Sequence, residues 1–227
     1  MPTYLDKSLP GVYVALEGWE ASGKTTQTQN LVESLRELFP KIPVRSTFEP
    51  GATRLGGSLR ETLLHSDTVR HASRAQCLLF AADNSDHVER VVLPVLRAGG
   101  VVVSDRSLGS ALAYQGYGSG FKLSWVRSLY SWATYQVVPD LTVCLHQSWG
   151  SAWRRFQDVC GERDTVESAA VEYHKRVHAG YADLVDLSFS WMRVNCSAAE
   201  SVVASQVLDI VMKFLDRRSL AGLWHGA

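Results

Sequence analysis

One segment constrains the fold of this chain more than any other, and it reads GWEASGKT over residues 18–25. It follows an apolar run at residues 12–16 that is rich in β-formers, and it precedes a stretch at residues 31–39 whose apolar residues recur with helical spacing. Glycines in this segment let the backbone curl so that successive N–H groups point inward, and the following helix adds the positive end of its dipole. The sequence therefore predicts a strand, a loop that can surround phosphate oxygens, and a helix, in that order.

Each part of the GxxxxGK[ST] pattern has a chemical use at a nucleoside triphosphate. Lys24 can reach the β- and γ-phosphates, and the Thr25 hydroxyl can bind Mg²⁺. A second apolar run ends in Asp105, which can hold the metal's ligand shell, and Arg106 can clamp phosphate oxygens from beside it. The residues predicted to contact ATP are Gly18, Trp19, Glu20, Ala21, Ser22, Gly23, Lys24, Thr25 and Thr26.

Strand-like and helix-like runs alternate along the rest of the chain. The strand-like runs are residues 12–16, 44–48, 101–103, 141–145 and 189–194. The helix-like runs are residues 31–39, 55–64, 75–96, 124–137, 149–157, 165–187 and 198–216, the last with Ser197 as its predicted N-cap. This alternation predicts an α/β three-layer sandwich, a mostly parallel five-stranded sheet flanked by helices, in a single domain over residues 1–227. Ligands bind such sheets beyond the C-terminal ends of the strands, where Gly18 and Asp105 are predicted to lie.

Composition excludes several other classes of protein. Lys plus Arg and Asp plus Glu number 23 each, so no overall basic field favours a nucleic acid or a membrane surface. No apolar run approaches the length of a membrane-spanning helix, and the first ten residues do not read as a secretory signal. The four cysteines form no CxxC pair, which favours reduced thiols. We therefore expect a cytoplasmic protein without a nucleic-acid or membrane partner.

Five segments together resemble one family, the thymidylate kinases, which are nucleoside monophosphate kinases of the P-loop class. They are EGWEASGKTTQ, FEPGATRLGGSLRETLL, LLFAADNSDHVERVVLPVLRAGGVVVSDR, AYQGYGSG and PDLTVCL, and their order and spacing match over nearly the whole chain. The resemblance implies transfer of a phosphoryl group from Mg·ATP to dTMP, giving dTDP and ADP, in a homodimer.

The resemblance also implies roles for individual residues. Glu20 matches an acid near the sugar 3′-hydroxyl, Glu49 matches an acid near the acceptor phosphate and Mg²⁺, and Phe80 matches the aromatic residue that stacks on thymine. The implied substrate-binding residues are Glu20, Glu49, Arg60, Phe80, Asn84, Arg106, Ser110 and Gln115. The implied metal-binding residues are Thr25, Glu49 and Asp105, and the implied catalytic residues include Lys24, Asp105 and Arg106.

Members of the family also have a mobile lid, which corresponds here to about residues 149–168. The phosphate loop carries no basic residue before Lys24, and the resemblance then implies a catalytic arginine from the lid. Arg154, Arg155 and Arg163 are the candidates, and the choice between Arg155 and Arg163 stays open. Residues 217–227 are weakly patterned and are predicted to form a flexible tail.

Four residues depart from the family pattern, and two of them bear on the substrate. Phe48 and Asn84 replace arginines, the second of which bonds the base in the family, while Ser107 replaces tyrosine and His146 replaces an acid. Asn84 could meet the edge of thymine through water or suit another base. Two alternatives therefore stay open: a kinase of the same fold for another monophosphate, and a catalytically silent nucleotide-binding regulator.

Two smaller predictions concern aromatic and imidazole side chains. Trp19 lies inside the phosphate loop and is predicted to cover the nucleotide pocket. His174 and His178 lie four residues apart on a predicted helix, and a solvated helix face is favoured over a metal site.

Overall fold

The structure, a computed structural model, describes residues 9–66, 73–159 and 164–217. The strands are β1 (Val12–Glu17), β2 (Val44–Phe48), β3 (Val101–Asp105), β4 (Leu141–His146) and β5 (Trp191–Asn195). The α-helices are α1 (Lys24–Leu38), α2 (Arg54–Leu64), α3 (Ser73–His87), α4 (Leu93–Arg97), α5 (Leu108–Ala111), α6 (Leu123–Ala133), α7 (Trp149–Val159), α8 (Val171–Asp186) and α9 (Glu200–Arg217). Two π-helical segments, Val88–Val92 and Leu112–Gly118, continue α3 and α5 respectively.

The five strands form one sheet in the order β2-β3-β1-β4-β5, and every neighbouring pair is parallel. The pairing of β1 with β3 runs from Val12 opposite Val101 to Leu16 opposite Asp105. Parallel strands all end at the same edge of a sheet, so the loop after β1 and the end of β3 lie side by side. The predicted α/β fold and its five strands are confirmed, and this edge of the sheet positions the site.

Successive residues of the strands pack on opposite faces of the sheet, as the pleat requires. Val12, Val14 and Leu16 belong to a buried cluster with apolar residues of α1 and α9. Tyr13 packs instead with Leu93 and other residues of α4 and the π-helical segment before it. A further cluster joins α6, α7 and α8 and includes Cys144 of β4. Helices therefore cover both faces of the sheet, which is the predicted three-layer arrangement.

One helical region was not predicted from the sequence: α5 and the π-helical segment after it, residues 108–118. Its glycines disfavour a helix by local propensity. Tertiary contacts reverse this preference, because the Glu17 carboxylate accepts hydrogen bonds from the backbone N–H groups of Ser107 and Ser110 at the start of α5. A Cβ on Gly109 would lie 2.7 Å from Glu17 Oε1, so the glycine permits this close approach.

Three predicted helix boundaries are wrong. The helix predicted over residues 124–137 ends at Ala133, and Tyr135 and Gln136 after it have positive φ values. Residues 165–170 form turns, and α8 begins only at Val171. Ser197 is not the N-cap of the last helix, because α9 begins at Glu200 and the Ser197 hydroxyl donates to Asn195 Oδ1 instead. In the long third helix, the π-helical segment precedes Pro94, which has no N–H to donate to the residue four positions earlier.

The prediction of a solvated face for His174 and His178 is also wrong, because both are buried. Their rings pack edge-on against Trp19, and His178 Nε2 bonds the Gln147 carbonyl at 2.9 Å. Within the described residues, no group of three or more His, Cys, Asp or Glu side chains could hold a metal ion. None of the described helices is long and apolar enough to cross a membrane.

Candidate active site

The loop after β1 has the curled backbone that the sequence predicts. Gly18 and Gly23 have φ values of 143° and 89°, in the region that favours glycine. Gly18 also lies against β4, since a Cβ there would meet the Leu145 carbonyl oxygen at 2.4 Å. Gly23 immediately precedes α1, so the loop opens directly onto the N-terminus of that helix. Gly18 therefore lets the loop pack against β4, and Gly23 lets it continue directly into α1.

Lys24 is buried and turned back across the loop rather than out to solvent. Its Nζ donates to the Trp19 carbonyl at 2.9 Å and contacts Ser22 Oγ at 3.4 Å. Burial lowers the pKa of Lys24, and nearby Arg106 lowers it further, while Glu20 and other acids oppose the shift. An ammonium ion held inside a loop of N–H groups is positioned to meet an anion.

Thr25 and Asp105 meet at the mouth of the loop, where the Thr25 hydroxyl donates to Asp105 Oδ2 at 2.6 Å. The two residues are 80 positions apart in sequence, and the parallel pairing of β1 with β3 brings them together. A hydroxyl and a single carboxylate are oxygen ligands of the kind that Mg²⁺ accepts while keeping waters and substrate phosphates. The donor set therefore fits Mg²⁺ held jointly by the protein and a nucleotide.

Two cavities open at this edge of the sheet, and they share a wall. The loop cavity is lined by residues 20–26 of the phosphate loop together with Asp105 and Arg155. The acceptor cavity, on the other side, is lined by Phe80, Ser110 and Gln115 among others. The residues that line both cavities are Glu20, Glu49, Arg60 and Arg106. Two arginines and two carboxylates thus stand where a ligand of one cavity would meet a ligand of the other.

Arg106 and Glu20 form an ion pair in this shared wall, with Nη2 and Oε2 2.8 Å apart. Tyr114 donates its hydroxyl to the other oxygen of Glu20, and the Arg106 guanidinium lies 5.3 Å from the centre of the Tyr114 ring. Burial opposes the ionisation of Glu20, but the charges of Arg106 and Lys24 outweigh it and lower the pKa of Glu20 to about 2. Glu20 is therefore a carboxylate at neutral pH, facing the acceptor cavity as well as the loop.

Sequence reasoning missed three residues that support this wall: Glu17, Tyr114 and Tyr181. Glu17 is buried at the end of β1, and its oxygens accept hydrogen bonds from Ser107, Ser110 and Tyr181. Burial raises the pKa of Glu17, which the nearby Arg106 and the serine hydrogen bonds offset in part. An acid ending an otherwise apolar strand, directly before the phosphate loop, was the available signal for Glu17.

Glu49 and Asn84 are in contact, and this changes the interpretation of Asn84. The Asn84 carboxamide donates to Glu49 Oε2, and Asn84 lines neither cavity. Phe80, one turn earlier on α3, lines the acceptor cavity as predicted. The structure thus does not bring Asn84 into either cavity with the other predicted substrate-binding residues, because its polar group is bonded to Glu49.

Trp19 does not cover the nucleotide pocket, contrary to the prediction. Its side chain is 3% exposed and packs against α7, with ring centroids 5.1 Å from both Trp149 and Phe156 and 6.1 Å from Trp153. The spacing 149, 153, 156 places these three rings on one face of the helix. The side chain of Trp19 therefore joins the phosphate loop to α7, and only its backbone remains as a predicted ATP contact.

The other face of α7 presents Arg155 to the phosphate loop. Arg155 lines the loop cavity, and its Nη2 lies 3.6 Å from the position that a Cβ on Gly23 would take. Its Nη1 donates to the Cys196 carbonyl at 3.2 Å. Arg154 lines neither cavity, and Arg163 falls outside the described residues, as does the tail after Arg217.

A parallel sheet of this order, with a phosphate loop after its first strand and a second cavity across a shared arginine, is the architecture of P-loop nucleoside monophosphate kinases. The chain belongs to the thymidylate kinase family within that class, because the family model for thymidylate kinase matches residues 16–207.

Individual relatives agree with the family model. A thymidylate kinase of Exiguobacterium sp. is 35% identical over 210 residues, which cover 92% of this chain and 98% of the relative. One of Synechococcus sp. is 41% identical over 200 residues, covering 86% and 94%. The crystal structure of thymidylate kinase from Ehrlichia chaffeensis superposes with a TM-score of 0.72 at 27% identity, covering 88% of this chain and 98% of that one.

Proposed function

We propose that this protein transfers the γ-phosphoryl group of Mg·ATP to dTMP, giving dTDP and ADP. The observation that carries the proposal is the wall shared by the two cavities, where Arg60 and Arg106 line both sides. Two polyanions that must react repel each other, and a pair of guanidinium groups between them reduces that repulsion. Family membership supplies the choice of dTMP as acceptor.

The phosphate loop and α1 hold the donor in this proposal. Backbone N–H groups of the loop and the Lys24 ammonium bind the β- and γ-phosphates, and Thr25 and Asp105 provide the oxygen atoms for Mg²⁺. When bound, Mg²⁺ supplies charge neutralisation on the β- and γ-phosphate oxygens. Lys24 is already desolvated and turned into the loop, where its Nζ bonds the Trp19 carbonyl, and in this proposal phosphate oxygens are its further acceptors.

The acceptor cavity holds the nucleoside monophosphate. Phe80 stacks on the base, Gln115 offers hydrogen bonds, and Arg60 and Arg106 hold the acceptor phosphate in line with the donor. Glu20 lies beside Arg106, which screens it from the donor phosphates, and its other oxygen, which also accepts from the Tyr114 hydroxyl, has a further lone pair for the sugar hydroxyl. The protein's contribution is positioning and charge stabilisation, as phosphoryl transfer requires.

We also propose that residues 149–168 act as a lid on one domain spanning residues 1–227. The lid helix α7 brings Arg155 against the phosphate loop, where a guanidinium can stabilise the charge on the transferring group. Closing the lid excludes water and so prevents hydrolysis of ATP without transfer.

We propose further that the protein is a cytoplasmic homodimer. Exposed apolar side chains on the neighbouring helices α3 and α6 support a dimer surface there: Leu78 is 53% exposed and Trp132 is 82% exposed. Exposed tryptophans are unusual on a monomer and common at interfaces. Sedimentation velocity should report a dimer for the native chain and a monomer for Trp132→Glu; a native chain that sediments as a monomer contradicts the proposal.

An assay of ADP release with Mg·ATP and a panel of nucleoside monophosphates tests the activity. We expect turnover with dTMP and much weaker turnover with dCMP, dGMP and dAMP. The Lys24→Ala variant should fold normally by circular dichroism and lose about 100-fold or more in rate.

The panel also distinguishes the alternatives. Preference for another monophosphate would support a kinase of the same fold with a different acceptor. Binding of ATP without turnover on any acceptor would support a regulator. An unchanged rate in Lys24→Ala would contradict the proposed site altogether.

A further inference from the structure

The side chain of Asn84 lies outside the cavity in which the base of the acceptor would bind. Asn84 is 4% exposed, and it does not line the acceptor cavity, although Phe80 and Asp83 on the same helix do. Its Nδ2 donates to Glu49 Oε2 across the junction between α3 and the end of β2. The carboxamide is therefore engaged behind the cavity wall rather than in front of it.

The other oxygen of Glu49 is held as well. His87, fully buried one turn further along α3, places Nδ1 2.5 Å from Glu49 Oε1. A carboxylate only accepts hydrogen bonds, so Nδ1 carries the hydrogen. Thr47 Oγ1 bonds the second ring nitrogen at 2.7 Å, which fixes the orientation of the imidazole. Asn84 and His87 thus hold Glu49 from the two ends of its carboxylate.

The orientation of the Glu49 carboxylate matters because this residue lies between the two cavities. It lines both cavities, and its backbone N–H donates to the Asp105 carbonyl at 3.0 Å, beside the proposed metal ligands. A carboxylate between two sets of phosphates is repelled by both, and the repulsion grows as it approaches either one. Fixed hydrogen bonds on both oxygens keep its charge in one place.

We infer that Asn84 is a positioning residue that orients Glu49 together with His87, and that the base is read by other side chains. The inference rests on the proposed function, in which Glu49 faces the acceptor phosphate. Turning Asn84 toward the base would leave an oxygen of the buried Glu49 without its donor, a cost that a single water-mediated contact to the base does not repay. Gln115, which lines the acceptor cavity, is then a polar side chain that can bond the base.

A double-mutant cycle tests the inference in the full chain. The variants are Asn84→Ala, Glu49→Gln, the pair combined, and Asn84→Leu, which preserves shape if alanine disturbs folding. Gln115→Ala is the control on the base-facing side. Each is measured for kcat and KM with dTMP and dUMP, for calorimetric affinity for the two monophosphates, and for melting temperature.

We expect Asn84→Ala to lower kcat by about 10- to 100-fold with both acceptors, the loss of one hydrogen bond to a charged group. The affinities of Asn84→Ala for dTMP and for dUMP, whose bases present the same hydrogen-bonding edge, should each stay within about 3-fold of the native chain, whereas Gln115→Ala should lower both. In the Glu49→Gln background, Asn84→Ala should have little further effect, because residues that act through one group are not additive.

Three results would overturn the inference. One is a loss of affinity for both dTMP and dUMP in Asn84→Ala or Asn84→Leu as large as that in Gln115→Ala. Another is an unchanged kcat in both variants. The third is full additivity of Asn84→Ala with Glu49→Gln. Failure of the proposed function looks different, since the native chain itself would then show no transfer to dTMP, and the inference would fail with it.

Discussion

The two adjacent arginines of α7 provide the sharpest test of the site. Both are exposed, but Arg155 lines the loop cavity and lies against Gly23, whereas the neighbouring Arg154 lines neither cavity. The two side chains have the same chemistry and nearly the same position in sequence. A comparison of the two variants therefore tests only whether the side chain points into the loop cavity.

The magnitude follows from what Arg155 contacts at present and what it would contact during transfer. Its Nη1 bonds the Cys196 carbonyl, a neutral acceptor, which contributes about 1 kcal/mol. A transferring phosphoryl group is charged, and losing one donor to such a group costs about 3–4 kcal/mol, or roughly 100- to 1,000-fold in kcat. We therefore expect Arg155→Ala to lose about 100-fold or more, and Arg154→Ala to stay within about 3-fold.

Single-turnover transfer with saturating Mg·ATP and dTMP is the appropriate assay, because it separates chemistry from product release. Arg154→Ala should retain the native melting temperature, and Arg155→Ala should lower it by about 2–4 °C at most, since neither arginine is buried and only Arg155 loses its bond to the Cys196 carbonyl. A full rate in Arg155→Ala would refute the assignment and leave Arg163 as the candidate from the lid. A loss in Arg154→Ala equal to that in Arg155→Ala would refute the argument from direction.

Other substitutions test the packing and the electrostatics around the site. Trp19→Ala should lower the free energy of unfolding by about 3–5 kcal/mol in urea, because it empties a buried site under α7, whereas Phe189→Ala at an exposed position should change it little; equal effects would contradict the packing. Gly18→Ala should lower both the melting temperature and the affinity for ATP, since its Cβ would meet the Leu145 carbonyl; a native-like variant would contradict the strained turn. Burial, and then the charge of Glu49, raise the pKa of Asp83 to about 6, so its folded form takes up a proton more readily than the unfolded chain. Protein stability relative to Asp83→Asn should accordingly rise as pH falls from about 7 toward 4, by at most about 3 kcal/mol, and a pH-independent difference in urea titrations would contradict this.

The local sequence determined the strands of this protein and the residues of its phosphate loop. The five strands were found in order, because buried parallel strands are short apolar runs between helical stretches. The phosphate loop, Lys24 and Thr25 were identifiable because two glycines, a lysine and a hydroxyl must be adjacent to act together. Asp105 was identifiable for a related reason, as an acid at the end of an apolar strand.

Tertiary structure decided the residues whose use depends on distant partners. Asn84 lies four residues after Phe80 in a readable helical pattern, yet its direction is decided by Glu49, which is 35 positions away. Trp19 lies in the phosphate loop, but its side chain packs against α7, because its ring contacts Trp149 and Phe156 only after the chain folds. Helical periodicity states which face of a helix a side chain occupies; which group meets it there depends on long-range packing, and no local pattern contains that information.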